Sequence, residues 1–437
     1  MKRKTSDSLI TIYIFILLIY ITISNFFITY NLYKTLNLSN VLFYFGIVGL
    51  ILYVFNKVIN KIKFDIYDFL ILCLILAGII STIYAIKPEI ALNGFNSRYE
   101  GLLQIFTYYI LFLNCKNIDN KLCKRLLIWL IIFLGVIQAI YAIIQFSNTK
   151  YLFGYRIIRK RFYSTGFERN PNFLATIMIV SLTLSLSIYF IKNNRLISLL
   201  SFVCSEILFL GLLCSGSMSV VVSLFFIFIL LIILFFVLKL KLWPTLVKVL
   251  LISLAFFTCY RYFNINDKGY YLSQIEKSTS EIGETITGNA KPIYGSGRIY
   301  IWKRTLEIVP DNLWNGVGID NFYLAFDDSN ILVDPYSGSR VDKAHNEYLQ
   351  KLVTEGIFSI ILYIGLLGIL CIRSMIQIFK ERKKENVLLI SLFLSFIAYC
   401  IQAFFNISVI SVAPIFYIIM GLLCSFSSGG KNEKVKN

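Results

Sequence analysis

Apolar runs long enough to cross about 30 Å of hydrocarbon recur along almost the whole chain. They fall near residues 9–29, 40–57, 67–86, 100–115, 125–146, 172–191, 196–214, 218–238, 245–260, 346–371, 387–404 and 408–426. The pattern predicts an all-α, polytopic membrane fold with about twelve spans. Two runs carry the weakest signal. That at 100–115 is short, and that at 346–371 opens on Glu347, Lys351 and Glu355. The first run is too long for a cleaved signal peptide and lacks a small-residue cleavage site.

Basic residues cluster after every second run. Lys2, Arg3 and Lys4 precede the first; Lys57, Lys61 and Lys63 follow the second; Lys116, Lys121, Lys124 and Arg125 follow the fourth. The series continues with Lys192 and Arg195, Lys239 and Lys241, then Arg373, Lys380, Arg382, Lys383 and Lys384, and ends with Lys431, Lys434 and Lys436. With twelve spans all of these fall on one side, which the positive-inside rule makes cytoplasmic, with both termini inside. The expected layout is a membrane domain over 1–260 (spans one to nine) and one large extracytoplasmic loop with short helices over 261–345. A second membrane segment over 346–426 (spans ten to twelve) and a cytoplasmic tail over 427–437 complete it.

Composition sharpens this picture. The 437 residues are 57% hydrophobic and only 15% charged, against about 25% charged in soluble domains. A soluble globule and a disordered chain are both excluded. The net charge of +18 would suggest nucleic acid in a soluble protein, but no basic stretch here forms a soluble binding module, so no nucleic-acid partner is expected. The charge is read instead as topology and contact with membrane lipid. The nine cysteines lie within or beside apolar runs with no metal-type C-x-x-C pair, so they read as small buried hydrophobes. No transporter-like internal repeat and no low-complexity tract is present.

The chemistry-bearing residues gather on the other side. The sole histidine, His345, stands in Ala344-His345-Asn346-Glu347, where the long loop re-enters the membrane. Imidazole suits proton transfer near neutrality, although an isolated histidine is commonly just an interfacial hydrogen-bonding group. With one histidine no metal site is expected. Glu355 follows ten residues on, about 15 Å away along a continuous helix, too far for a direct dyad. An acid there is expected to pair with a nearby arginine or the backbone. Upstream, Ser296 is placed to cap a helix with apolar positions Ile299, Trp302, Leu306 and Val309, stopped by Pro310. Arg298 then lies in its first turn, where dipole and guanidinium together suit a phosphate, though a surface arginine on a short amphipathic helix explains it equally well.

Asn315-Gly316-Val317-Gly318 is a glycine-punctuated turn too short to claim a nucleotide loop. Gly166-Phe167-Glu168-Arg169-Asn170-Pro171-Asn172 and Asn96-Ser97-Arg98-Tyr99-Glu100-Gly101 each bring an arginine to the mouth of a span. Taken singly, Arg169 and Arg98 read as topology or headgroup anchors. Together with Arg298 and His345 they suggest one site that binds a diphosphate and moves a proton.

These motifs resemble the O-antigen ligase and O-antigen polymerase superfamily. The resemblance rests on Gly297-Arg298 and Trp302, Asn315-Gly316-Val317-Gly318, His345-Asn346 and Glu355-Gly356, with Gly166–Asn172 and the twelve-span layout, and covers roughly 90 to 420. It implies glycosyl transfer without metal or cofactor, from an undecaprenyl diphosphate-linked glycan to an acceptor hydroxyl outside the cytoplasmic membrane. The acceptor would be a lipid, wall polymer, protein or another glycan. By the same resemblance His345 is the general base and Arg298 holds the diphosphate, with Glu355, Asn346 and Trp302 in support. Many members carry Ser-Arg where this chain has Ser215-Gly216-Ser217-Met218, so Arg169 or Arg98 is the expected second diphosphate arginine. The motif does not separate ligase from repeat-unit polymerase. A flippase for lipid-linked sugars is the competing reading of another class, but it calls for polar residues along a central path, which the spans hardly show. A non-catalytic envelope scaffold leaves the coincidence of the only histidine with the motif unexplained.

Overall fold

The computed structural model describes residues 2–29, 38–95, 99–147, 151–152, 155–156, 163–192, 194–267, 270–289, 291–326, 331–335, 338–381 and 387–427. The fold is all-α. Its helices are α1 (Lys2–Thr29), α2 (Leu38–Ile59), α3 (Ile66–Ile83), α4 (Pro88–Asn93), α5 (Leu102–Lys116), α6 (Lys121–Phe146), α7 (Pro171–Ile191), α8 (Arg195–Ser215), α9 (Ser219–Val237), α10 (Leu242–Asp267), α11 (Tyr270–Ile286), α12 (Arg298–Ile308), α13 (Glu347–Glu381), α14 (Val387–Ala403) and α15 (Ala413–Ser427). A two-residue antiparallel ladder pairs Tyr151–Leu152 with Tyr155–Arg156. Among the described residues nine helices are long and apolar enough to cross a membrane, and three shorter apolar ones, α5, α14 and α15, stand where runs four, eleven and twelve were read.

Side-chain burial separates two environments. Helix α7 is almost wholly buried, packed against α6, α8, α9 and α14. In contrast α2, α9 and α10 leave Ile51, Phe225, Phe236, Leu250 and Leu254 exposed. So many exposed large apolar groups suit a lipid solvent and not water. Lipid tails give no hydrophobic drive between helices, so close packing of small residues holds the bundle. At the α6–α7 crossing a β-carbon on Gly135 would come within 2.3 Å of Ser181 Oγ.

Polar contacts sort the connections onto two ends. At one end Arg3 pairs with Asp119, and Asp7 accepts from the Asp119 and Asn120 amides at 3.0 and 2.8 Å. Lys116 pairs with Asp65 at 2.6 Å and Asp68 at 2.5 Å, Lys57 pairs with Asp68, and Lys124 donates to the Ser425 carbonyl at 3.1 Å. The alternate-loop cations therefore share one end of the bundle. Arg382, Lys383, Lys384 and the tail 428–437 lie outside the described residues.

At the other end the long loop folds on a small core of its own. Ile301, Phe322, Phe326, Leu332, Val341 and Ala344 pack with Val353 of α13. The loop helices are less short than the sequence suggested, since α11 runs to 17 residues. Ser296 does not cap α12. It lies at φ 57°, and Gly297, at φ 79°, precedes the helix with no side-chain cap.

Candidate functional site

The span that begins at Glu347 is broken. Gly356 sits at φ 82°, ψ 177° inside α13, a backbone region open essentially to glycine alone. A break there deprives nearby carbonyls of their i+4 donors. The Asn315–Gly318 turn supplies the replacements. The Val317 amide donates to the Val353 carbonyl at 2.9 Å, the Gly318 amide to that of Thr354 at 3.0 Å, and the Ile357 amide to that of Leu313 at 2.8 Å. Ser81 Oγ of α3 adds a bond to the Thr354 carbonyl at 2.7 Å. Backbone meets backbone here: a β-carbon on Gly316 would lie 2.3 Å from the Thr354 carbonyl. The glycines of this motif therefore dock the external loop into a helix break.

A cavity of about 60 Å³, room for a few waters, opens beside this joint, lined by Glu100, Asp320, Lys343, Glu347, Lys351 and Glu355 among others. All six are buried. Lys343 Nζ meets Asp320 Oδ1 at 2.6 Å, and Asp320 Oδ2 accepts from the Phe95 amide at 2.5 Å. Burial lowers the Lys343 ammonium, but the charges of Asp320 and Glu100 outweigh it and hold the group above its ordinary value. Glu100, two residues ahead of α5, accepts from Ser408 Oγ at 2.6 Å. Burial pushes its carboxyl up to about 7 against the pull of Lys343.

Glu347 accepts from the Tyr363 and Tyr399 hydroxyls at 2.7 and 2.9 Å. Glu355 was expected to pair with an arginine or the backbone. Its partner is Lys351, one turn earlier, at 2.7 Å to each oxygen, with Ser359 Oγ also donating at 2.7 Å. Both acids are thus held by internal partners.

His345 stands between Lys343 and Glu347, which both line the cavity. Its backbone lies at φ 52°, a conformation in which non-glycine residues are uncommon and which recurs at functional sites. The flanking residues hold the turn: the Ala344 amide donates to Gln350 Oε1 at 2.8 Å, and Asn346 Oδ1 accepts from the Leu349 amide at 3.0 Å, capping α13. Asn346 is therefore a helix cap, placed to fix the backbone after His345.

Helix α12 packs through Ile301 into the same small core as Ala344. Arg298 and Trp302 fall one turn apart on it, on one face. Arg298 Nε and Trp302 Nε1 are both buried with no acceptor among the described residues. Arg298 donates from Nη1 to the Gly295 carbonyl at 3.3 Å; burial lowers its guanidinium and the charge of Asp334 raises it.

The Gly166–Asn172 motif forms a buried turn hung from α6. Gln145 Oε1 accepts from the Thr165 and Gly166 amides at 2.9 and 3.0 Å, and Gln138 Oε1 from that of Phe167 at 3.1 Å. Burial raises the Glu168 carboxyl, which Ser411, Gln138 and Asn25 hydrogen-bond. Asn170 caps α7, with Pro171 next. Arg169, at φ 57°, is exposed and makes no hydrogen bond or ion pair among the described residues. Nearby, Ser217 Oγ donates to Asn172 Oδ1 at 2.7 Å and lies 3.0 Å from Ser219 Oγ, which donates to Gln402 at 2.8 Å. A neutral network thus fills the Ser215–Met218 stretch, against the turn that holds Arg169. Arg98 lies outside the described residues.

The sequence marked Lys351 only as a charge that weakens its span and gave Lys343, Asp320 and Glu100 no role. The signal was available: charged residues at the mouths of apolar spans are costly unless paired.

An all-α bundle with lipid-facing helices and a charged cavity beside the broken span defines a multi-pass membrane protein. A family model described as O-antigen ligase matches residues 202–364. That stretch is similar to the O-antigen ligase family, which supports an O-antigen ligase/polymerase superfamily assignment and a membrane function in glycan biosynthesis. The matched stretch contains Arg298, Trp302, His345, Asn346 and Glu355 and excludes Arg98 and Arg169. No curated protein matches the chain.

Proposed function

We propose that the protein transfers a glycan from undecaprenyl diphosphate to an acceptor hydroxyl on the outer face of the cytoplasmic membrane, without a metal ion. The acceptor oxygen bonds to the anomeric carbon as the bond to the diphosphate oxygen breaks. The hydroxyl proton passes to the His345 imidazole and the diphosphate leaves as an anion. Arg298 holds that anion through its guanidinium fork, and Trp302 donates a further hydrogen bond. Arg169 is the second cation and Arg98 its alternative. Both termini and the cation-rich end of the bundle face the cytoplasm.

One observation carries this reading. Two buried donors, Arg298 Nε and Trp302 Nε1, lack an acceptor among the described residues, on a helix that packs against the segment ending in His345. A buried donor without an acceptor costs about 1–3 kcal/mol, and a diphosphate supplies acceptors for both. The leaving group is already a good one once its charge is held, so positioned cations and one base suffice. Glu347 and Glu355 are engaged by two tyrosines and by Lys351 and Ser359, and imidazole is the side chain whose ordinary range suits proton transfer near neutrality.

The test is incubation of purified protein with a lipid-diphosphate oligosaccharide, alone and with candidate acceptors. Chain growth on the donor alone identifies a repeat-unit polymerase; transfer only to an added acceptor identifies a ligase. His345→Ala is expected to lose on the order of 10²–10⁴-fold in turnover with donor binding retained. Wild-type turnover is expected to fall as the imidazole becomes protonated at lower pH, because the protonated ring cannot accept a proton. Near wild-type turnover in both His345→Ala and His345→Gln would remove His345 from the mechanism.

A further inference from the structure

At the end of the bundle away from His345, α7 finishes, α8 starts, α9 finishes and α10 starts. Two cavities adjoin there and share Phe190, Ile191, Leu240 and Thr245 in their walls. One, of about 320 Å³, is lined almost wholly by apolar side chains, including Phe228, Leu231, Phe235, Val249 and Ile252. The other, of about 410 Å³, is lined by Lys192, Arg195, Lys241 and Lys248 and by no acid.

Lys248 is already engaged. Its ammonium donates to the carbonyls of Tyr189, Phe190 and Lys192 at 2.6, 3.3 and 3.1 Å, satisfying the end of α7. The side chains of Lys192, Arg195 and Lys241 make no ion pair or hydrogen bond among the described residues. Three cations around one concave space repel one another until an anion enters, and the first turn of α8, which contains Arg195, adds the positive end of a helix dipole.

We propose that these joined cavities bind one anionic glycerophospholipid, its phosphate among Lys192, Arg195 and Lys241 and an acyl chain in the apolar cavity. A free phosphate accounts for the basic half alone. The shared walls make the two halves one amphipathic slot, and basic pockets between spanning helices are suited to such headgroups. Near a lipid surface each cation contributes about fivefold in preference for an anionic lipid. Three give on the order of 100-fold over a zwitterionic lipid. The site lies far from the reacting groups, so its occupancy does not depend on the proposed glycosyl transfer.

Native mass spectrometry of the full-length protein, released from micelles with phosphatidylglycerol or phosphatidylcholine, reads the bound lipid directly. The wild type is expected to retain one phosphatidylglycerol and to exchange phosphatidylcholine freely. The triple variant Lys192→Gln, Arg195→Gln, Lys241→Gln is expected to lose most of that preference. Lys241→Gln alone, at an exposed residue, is expected to lose about fivefold and serves if the triple variant does not fold. Val249→Trp, which fills the apolar half, should expel the lipid. Equal retention of the two lipids by the wild type, undiminished preference in the variants, or stabilisation by inorganic phosphate equal to that by the lipid would each overturn the proposal.

Discussion

Gly356→Ala puts the joint between the external loop and the broken span to the test. Alanine at φ 82°, ψ 177° carries roughly 1–3 kcal/mol of backbone strain. Its β-carbon would stand 2.1 Å from the Trp314 carbonyl oxygen and 2.6 Å from its carbon, well inside contact distance, so the 313–318 turn must retreat. That retreat breaks the bonds Ile357 N–Leu313 O, Val317 N–Val353 O and Gly318 N–Thr354 O, each worth about 1 kcal/mol net. The combined loss is on the order of 4–6 kcal/mol. Gly365 offers a control in the same helix: nothing lies within 4 Å of its β-position, and alanine there should be neutral or stabilising by up to about 1 kcal/mol. Thermal unfolding of purified protein, followed by tryptophan fluorescence, should place Gly356→Ala roughly 4–7 °C below the wild type and Gly365→Ala level with it or above. If the two variants melt together, the glycines do not form the joint described.

The donor pair on α12 gives a prediction with opposite signs in two assays. Trp302→Phe removes an unsatisfied buried donor, so the ligand-free protein should be as stable or more stable while donor affinity falls about tenfold; Arg298→Lys keeps the charge but loses the fork, and should impair turnover without lowering stability. Unchanged donor affinity in both variants would remove α12 from the site. The Lys343–Asp320 pair predicts coupling: Lys343→Met alone strands a buried carboxylate and should cost about 3–5 kcal/mol. In an Asp320→Asn background, which suits the φ of 57° at that position, the same change should cost at least ~1 kcal/mol less. Additive losses in thermal unfolding would show that the two groups act independently.

The sequence by itself determined the solvent and the fold class. A span needs an unbroken apolar run to satisfy its backbone in lipid, so helices must appear wherever such runs occur. The apolar helices accordingly fall where the hydropathy placed them, the short α5, α14 and α15 included. The motif residues were equally legible, because residue type and local spacing carry them. Pro171 at the start of α7, with Asn170 capping it, is a local event of this kind.

What the tertiary structure decided is which distant groups satisfy one another. The Ser296 cap failed because Gly297 takes a positive φ, set by the packing of the loop and not by cap propensity. The glycine turn proved to be a dock for a helix broken at Gly356, a pairing between segments some forty residues apart. Glu100, Asp320 and Lys343 come from three segments and meet only when the loop closes over the bundle. A buried charge requires a partner, but the physics of one residue does not say where along the chain that partner lies; the packed fold alone supplies it.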